Sequence, residues 1–463
     1  MFEINRIIDT DSYKASHFLQ YPPNTTRAFF YLESRGSDRD WNETVFFGLQ
    51  YLLKNYFLAP FTQEIVEEAR EVITAHGLPF NYDGWTNLIK KHGGKLPLRI
   101  RAVAEGTIVP LHNVLMTVET TDDEFAWLGS WFETQLMRIW YAITVCTQSY
   151  QIKKDVYKFL TETADDADAE IAFKVHDFGS RGVSSQETAA IGGAAHLVNF
   201  MGTDTMAALL LHRKFYNCEM AGFSIPAAEH STITSWGREN EAEAYRNMLK
   251  NFAKPNTLVA VVSDSWNIYE AVEKIWGEQL KQEVIDSGAT IVIRPDSGEP
   301  VEVVSKVANI LVEKFGFEVN SKGFKVLKNV RIIQGDGVNQ DSIRAILQRL
   351  KDEKISASNI AFGIGGSLLQ KVNRDTLKFA YKCSAIVTDG KLREVHKQPI
   401  TDAGKNSKRG RLDLVLKDGK YETVKIEDAE TIAAENSQLQ TVFENGELLI
   451  NDNLDEIRKR ASQ

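Results

Sequence analysis

The chain is poor in cysteine, with three in 463 residues (Cys146, Cys218 and Cys383), far apart and forming no CxxC pair. That excludes a disulfide framework and a thiolate zinc site. It fits a reducing cytoplasm, with all three thiols packed as small apolar groups. Long hydrophobic runs are lacking too, and stretches such as Leu258 to Val262 are far too short to span a bilayer. Met1 to Lys14 mixes charges with apolar residues and has no hydrophobic h-region, so no secretory signal is expected. Positive charge is in deficit: the formal net charge is -9, which argues against general affinity for nucleic acid or an anionic membrane. A phosphorylated ligand would therefore need a local basic pocket on an acidic protein. No HExxH, Walker A or dinucleotide GxGxxG motif occurs, so a transition metal held by protein alone is not expected. Low-complexity segments and Pro/Gly/Ser linkers are also absent.

What remains is ordinary globular composition, 43% hydrophobic and 25% charged, on a chain long enough for two or three domains. Short strands are predicted at Ala28 to Leu32, Leu98 to Val103, Thr107 to Pro110 and Val114 to Val118. Helices are predicted over Trp127 to Tyr141 and Gln148 to Thr161. From about residue 170 a unit repeats, in which a β-rich run ends in a polar or glycine-rich loop and a helical pattern follows. Ile171–Val175 leads into His176-Asp177-Phe178-Gly179-Ser180-Arg181-Gly182, Leu258–Val262 into Ser263-Asp264-Ser265, and Thr290–Ile293 into Arg294-Pro295-Asp296-Ser297-Gly298. Val330–Ile333 leads into Gln334-Gly335-Asp336-Gly337, and Ile360–Phe362 into Gly363-Ile364-Gly365-Gly366-Ser367. Ser184-x-x-Glu187 has the form of a capping box, and Asp341-Ser342 precedes a helical run. Strands alternating with helices imply parallel β/α architecture, barrel or open sheet. Polar residues gathered at strand C-termini suit the barrel. Beyond Lys382, short strands with turns at Asp389-Gly390 and Asp418-Gly419 return. The expected fold class is α/β, a β/α barrel-like domain flanked by a β-rich domain formed from N- and C-terminal segments. The expected boundaries are 1–150, 151–382 and 383–463.

Several constellations carry chemistry. The adjacent glycine loops Gly335-Asp336-Gly337 and Gly363-x-Gly365-Gly366 let backbone N–H groups approach a phosphate, although tight βα turns alone would also explain them. Arg294 with Asp296 offers a guanidinium fork beside a carboxylate for a ribose hydroxyl or an Mg²⁺-bound water; the plainer alternative is a strand-end pair with Asp296 capping the next helix. Asp264 reads as a helix cap that can also face the site. His230, in Pro226-Ala227-Ala228-Glu229-His230, carries no special periodicity, His196 reads as packing, and His176 beside Asp177 is a weak candidate for a proton relay or metal pair. Gly404 to Arg411 holds four positive charges in eight residues, a solvated loop or a clamp on a polyanion.

Taken together these segments resemble the nicotinamide phosphoribosyltransferases of the nicotinate phosphoribosyltransferase-like, type II phosphoribosyltransferase family. The resemblance rests on Thr10-Asp11-Ser12-Tyr13-Lys14, Tyr21-Pro22-Pro23-Asn24-Thr25, His176 to Gly179 with Arg181 to Thr188, and Gly202-Thr203-Asp204-Thr205. It continues through Pro226 to Thr234, Val262 to Ser265, Ile293 to Gly298, Gln334 to Gly337 and Leu368-Leu369-Gln370-Lys371, covering nearly the whole chain in order. It implies transfer of a phosphoribosyl group from phosphoribosyl pyrophosphate to nicotinamide, giving nicotinamide mononucleotide in NAD salvage, with nicotinate as the alternative base. It also implies a cytoplasmic homodimer with shared active sites, in which Phe178 and the partner's Tyr13 sandwich the base. Asp204 and Arg294 would hold the carboxamide, and Arg181 would contact phosphate. Asp296, Gly335, Asp336 and Gly366 would hold the ribose 5-phosphate, with Arg374 nearby. Arg35, Lys382, Lys397 and Lys405 would form the pyrophosphate end. His230 matches a histidine transiently phosphorylated by ATP, Asp264 and Asp296 complete the catalytic set, and Mg²⁺ would arrive with phosphoribosyl pyrophosphate. Vertebrate members differ at Ser180 (tyrosine there), at Ile364 and Ser367 of the glycine loop (serine and glycine), and in a longer insertion before Thr44.

Overall fold

The computed structural model describes residues 4–401 and 403–462. The chain forms two compact units. One takes the chain up to Thr147, Lys214–Cys218 and everything from Asn373 onward; the other takes Gln148–Arg213 and Glu219–Val372.

The first unit is built on a seven-stranded antiparallel sheet, in the order Lys391–Glu394, Phe379–Thr388, Thr25–Ser34, Val114–Thr120, Leu98–Ala102, Gln440–Glu444, Glu447–Leu448. N- and C-terminal segments thus share one sheet, as the return of short strands after Lys382 predicts. Thr25–Ser34 lies inside the sheet and is buried along its last seven residues, which explains its run of aromatic and aliphatic side chains rather than a strict alternation. Against it stands an aromatic core in which Trp85 meets Trp127 and Trp131 edge to face, at 5.1 and 5.4 Å between centroids. Helix Gln63–Ala75 starts where Thr62 accepts the Ile65 N–H, and it buries Val66, Ala69 and Ile73, the three- and four-residue spacing of one helical face. The turns at Asp389-Gly390 and Asp418-Gly419 close hairpins with all four residues at positive φ, a conformation glycine and aspartate tolerate.

The second unit is a parallel sheet of six strands, labelled here in chain order: β1 Val175–Asp177, β2 Gly202–Thr203, β3 Leu258–Val262, β4 Thr290–Arg294, β5 Val330–Gln334 and β6 Ile360–Ile364. Their spatial order is β2-β1-β6-β5-β4-β3. Residues 223–228 bond to both edges, through Phe223 with Gly202 and Ala227 with Ala260, so the ring of strands closes without a free edge. Its interior holds Ala260, Val292 and Ile333, with Phe178, Ile225 and Ala361 packed against them. Helices Gln186–His196, Glu241–Phe252, Pro300–Phe315 and Gln340–Asp352 intervene between strands. The fold class is the expected one.

Local expectations shift in places. Ile171–Phe173 winds as a 3-10 turn and the strand begins only at Val175. The cap of helix Gln186–His196 is Ser185, which accepts from Thr188 N–H, one residue after the expected Ser184. Trp127 to Tyr141 is broken into Leu128–Trp131 and Glu133–Met137, and a single helix Ile139–Thr163 follows. No glycine or proline interrupts that helix near residue 145, and Thr144 and Thr147 return their hydroxyls to carbonyls four residues back. His196 is packing, as expected. It is fully buried, its Nε2 donates to the Val175 carbonyl at 3.2 Å, its Nδ1 accepts from Ser149 Oγ at 2.9 Å, and burial pushes its pKa down to about 3.

Candidate active site

The C-terminal ends of the ring strands gather most of the predicted residues. β1 runs into Asp177 and Phe178. The Asp177 carboxyl is fully buried, accepts the Gly179 N–H at 2.7 Å through Oδ1, and is pushed up to about 6, chiefly by burial. Phe178 N–H donates to Ile364 O of β6 at 2.9 Å, which lays the phenyl ring over the end of that strand. Gly363 is what permits this: a Cβ there would lie 2.0 Å from Phe178 Cε2. The 3-10 turn Ser180–Gly182 carries Arg181, and Gly182 stands so close to Gly366 that its Cβ would sit 3.3 Å from the Gly366 Cα. The loops after β1 and β6 thereby bring Arg181 and Gly366 together.

Asp204 follows β2, held by its N–H on the Asp177 carbonyl at 2.9 Å. Its carboxylate is exposed, and Oδ1 accepts from Ser224 Oγ at 2.7 Å. Ser224 lies on the segment that closes the ring, and no sequence motif singles it out. Its only signal is its place two residues before Pro226-Ala227-Ala228-Glu229-His230.

Asp264, after β3, caps nothing. The helical run beyond it is capped by Asn267, whose side chain accepts from Tyr269 and Glu270 N–H. Asp264 instead faces the site with its side chain 4% exposed, while His230 is half exposed. Its Oδ1 pairs with His230 Nε2 at 2.9 Å, and its Oδ2 accepts the Asp296 N–H at 3.0 Å and the Ser297 hydroxyl at 2.5 Å. Asp296 does not cap helix Pro300–Phe315 either; Glu299 does. Burial raises the Asp296 pKa, Arg294 opposes that, and the charge of Asp264 adds to it. Arg294 Nη2 stands 3.7 Å from Asp296 Oδ2, and Arg294 Nε is buried with no hydrogen-bond partner among the described residues. Asp296 Oδ1 packs over Gly335, where a Cβ would come within 2.9 Å of it. Asp336 is exposed beside it. His176, by contrast, is spent on structure: Nε2 bonds the Phe173 carbonyl at 3.0 Å and the ring lies against Gly202.

The remaining predicted residues belong to the first unit. Lys382 pairs in register with Tyr31, and its pKa is lowered by burial and by the neighbouring charges of Arg35, Arg374 and Lys14, against the pull of Glu133. Arg35, Arg374 and Lys382 therefore form one basic cluster. Lys397 lines a cleft of about 400 Å³ with His396, Lys408, Arg409 and Lys425, and Lys397 N–H donates to Ser407 Oγ at 2.8 Å. Lys405 is exposed on the same basic loop, and Tyr13 is 59% exposed.

A ring of parallel β/α units with carboxylates, arginines and glycines on its C-terminal face has the layout of a β/α-barrel enzyme site. The comparisons make the class specific. Residues 173–447 match the nicotinate phosphoribosyltransferase family, and residues 5–100 match the N-terminal domain of nicotinamide phosphoribosyltransferase. The chain belongs to the nicotinate phosphoribosyltransferase family. It is 55% identical over 461 residues to the nicotinamide phosphoribosyltransferase of Xanthomonas campestris pv. campestris, covering 99% of this chain and 98% of that one. It is 31% identical over 500 residues to the nicotinamide phosphoribosyltransferase of Acinetobacter baylyi, covering 100% and 98%. Among solved structures it shares its fold with the nicotinate-nucleotide pyrophosphorylase of Pyrococcus furiosus, at TM-score 0.64 and 16% identity over 100% of this chain and 96% of that one. Among the described residues no helix is long and apolar enough to cross a membrane.

Proposed function

We propose that this protein transfers the phosphoribosyl group of phosphoribosyl pyrophosphate to nicotinamide, releasing nicotinamide mononucleotide and pyrophosphate in cytoplasmic NAD salvage. The observation that carries the choice of base is Asp204, an exposed carboxylate at the ring mouth with one oxygen engaged by Ser224. Its other oxygen can accept the amide N–H₂ of nicotinamide, whereas nicotinate would present a second carboxylate to it. Arg294, only partly buried at the end of β4, would donate from its guanidinium to the carboxamide oxygen.

In this reading the ring nitrogen attacks the anomeric carbon as pyrophosphate leaves, through a transition state with oxocarbenium character. Positioning and charge stabilisation carry the acceleration. Asp296, Gly335, Asp336, Gly366 and Arg181 hold the ribose 5-phosphate. By the family resemblance Arg374 would serve the same phosphate, and Arg35, Lys382, Lys397 and Lys405 would neutralise the pyrophosphate, which brings Mg²⁺ as part of the substrate. The product pyridinium is cationic and gains from aromatic faces, Phe178 and Tyr13 of a second subunit in a homodimer. Mixing Tyr13→Ala with Phe178→Ala subunits is expected to recover roughly a quarter of wild-type activity, because hybrid dimers keep one intact site. No recovery after confirmed subunit exchange refutes the shared site.

ATP enters through His230. Asp264 holds the Nε2–H, which leaves the Nδ1 lone pair to attack the γ-phosphorus; an N–P bond forms as the P–O bond to ADP breaks and ADP leaves with that electron pair. His230→Ala is expected to lose ATP hydrolysis and acid-labile phosphorylation while keeping slow synthesis driven by mass action. Labelling of that variant by radioactive ATP would move the nucleophile elsewhere.

The base assignment is tested by competition. Asp204→Asn is expected to shift the nicotinamide-to-nicotinate preference by about 1.5–3 kcal/mol toward nicotinate. An unchanged ratio removes Asp204 from base selection.

A further inference from the structure

The proposed ATP step leaves a physical gap: His230 is half exposed on a short helix, while the ribose-holding carboxylate Asp296 stands on a different loop. The two meet in one buried group. Asp264 divides its oxygens, Oδ1 to His230 Nε2 and Oδ2 to both the backbone N–H of Asp296 and the hydroxyl of Ser297. The base of Asp264 is itself pinned. Ser263 Oγ accepts from the indole N–H of the fully buried Trp276 at 3.0 Å and donates to the Val261 carbonyl at 3.0 Å. A carboxylate on a fixed stem cannot follow a moving histidine, so a change at Oδ1 is felt at Oδ2 through charge and hydrogen-bond geometry.

The receiving end is equally specific. Asp296 sits over Gly335 with no room for a Cβ between them, and its other oxygen faces Arg294 across 3.7 Å. A small displacement of the 295–298 loop therefore alters two contacts that the reading above assigns to substrate. Within that loop the only side-chain tie to Asp264 is Ser297.

We infer that Ser297 is a positioning residue that couples His230 to the loop bearing Asp296, so that phosphorylation of the histidine is reported to the sugar-phosphate site through Asp264. Imidazole in its free form gives Asp264 one N–H to hold. Phosphorylated at Nδ1, it adds a dianion to the same neighbourhood, and Oδ2 with its two donors must readjust. Both bonds are charge-assisted, and Ser297 supplies the shorter one at 2.5 Å, against 3.0 Å for the Asp296 N–H.

The inference rests on the proposed phosphorylation of His230, and the test separates the two. The full-length enzyme is assayed for labelling by radioactive ATP and for the KM of phosphoribosyl pyrophosphate with and without ATP. In wild type His230 is labelled, and ATP lowers that KM by about fivefold or more, as a coupled site requires. Ser297→Ala is expected to remain labelled while the ratio of the two KM values falls to near one, and Ser297→Thr is expected to restore the ratio. A Ser297→Ala enzyme whose ratio stays at the wild-type value overturns the coupling, even if both KM values rise together, because Ser297 would then be a structural contact only. Absence of labelling in wild type overturns the His230 reading, and the coupling with it, before any variant is made.

Discussion

Each unit of this protein sets an arginine against an aspartate, and the two pairs are opposites. In the first unit Arg101 and Asp413 are buried and saturated. The guanidinium donates to Asp413, Ser437 Oγ and the carbonyls of Ile432 and Leu439. The carboxylate also accepts from the N–H groups of Leu414 and Ala434. In the second unit Arg294 and Asp296 stand 3.7 Å apart, half-buried, with the guanidinium Nε unpartnered among the described residues. Burying a charge costs several kcal/mol unless its hydrogen-bonding capacity is filled, so the first pair is finished by the fold itself. The second pair is looser and more open to solvent, which is what its proposed role in holding substrate requires.

That contrast can be broken by substitution. Asp413→Ala leaves Arg101 buried and uncompensated and is expected to cost 3–5 kcal/mol of stability, on the order of other broken buried pairs, read as a fall in the denaturant midpoint. A loss below about 1 kcal/mol would mean that water reaches Arg101 and the pair is not structural. Arg294→Ala is expected to do the reverse. Its stability change stays within about 0.5 kcal/mol, while the KM for nicotinamide rises by roughly tenfold or more. If the variant unfolds readily instead, Arg294 belongs with Arg101 and the contrast collapses.

The pattern of alternating strands and helices was enough to read the parallel ring, because hydrophobic period and loop chemistry are local properties of the chain. It placed Phe178, Arg294, Asp296, Gly335 and Gly366 at strand ends, where the structure has them. It could not decide between capping and site roles for Asp264, since both begin with a carboxylate after a strand. The answer lay in Asn267, three residues on, which takes the cap and releases Asp264. Ser224 was invisible because its partner Asp204 is twenty residues away and the segment between them includes a helix. Gly363 read as a phosphate-loop glycine, yet its missing Cβ serves the ring of Phe178. The shared sheet of the first unit joins residues more than 350 apart, such as Thr25 and Thr388, and pairing at that distance leaves only the return of strand patterns near the C-terminal end as a trace.

The central claim is that the open carboxylate at the ring mouth selects an amide over an acid, and the most direct measurement is pyrophosphate release by the purified protein. With phosphoribosyl pyrophosphate and ATP present, nicotinamide and nicotinate are supplied separately and kcat/KM is compared. The account predicts a preference for nicotinamide of at least about tenfold, the value of one charge-assisted hydrogen bond. Equal rates with the two bases, or a preference for nicotinate, would contradict it.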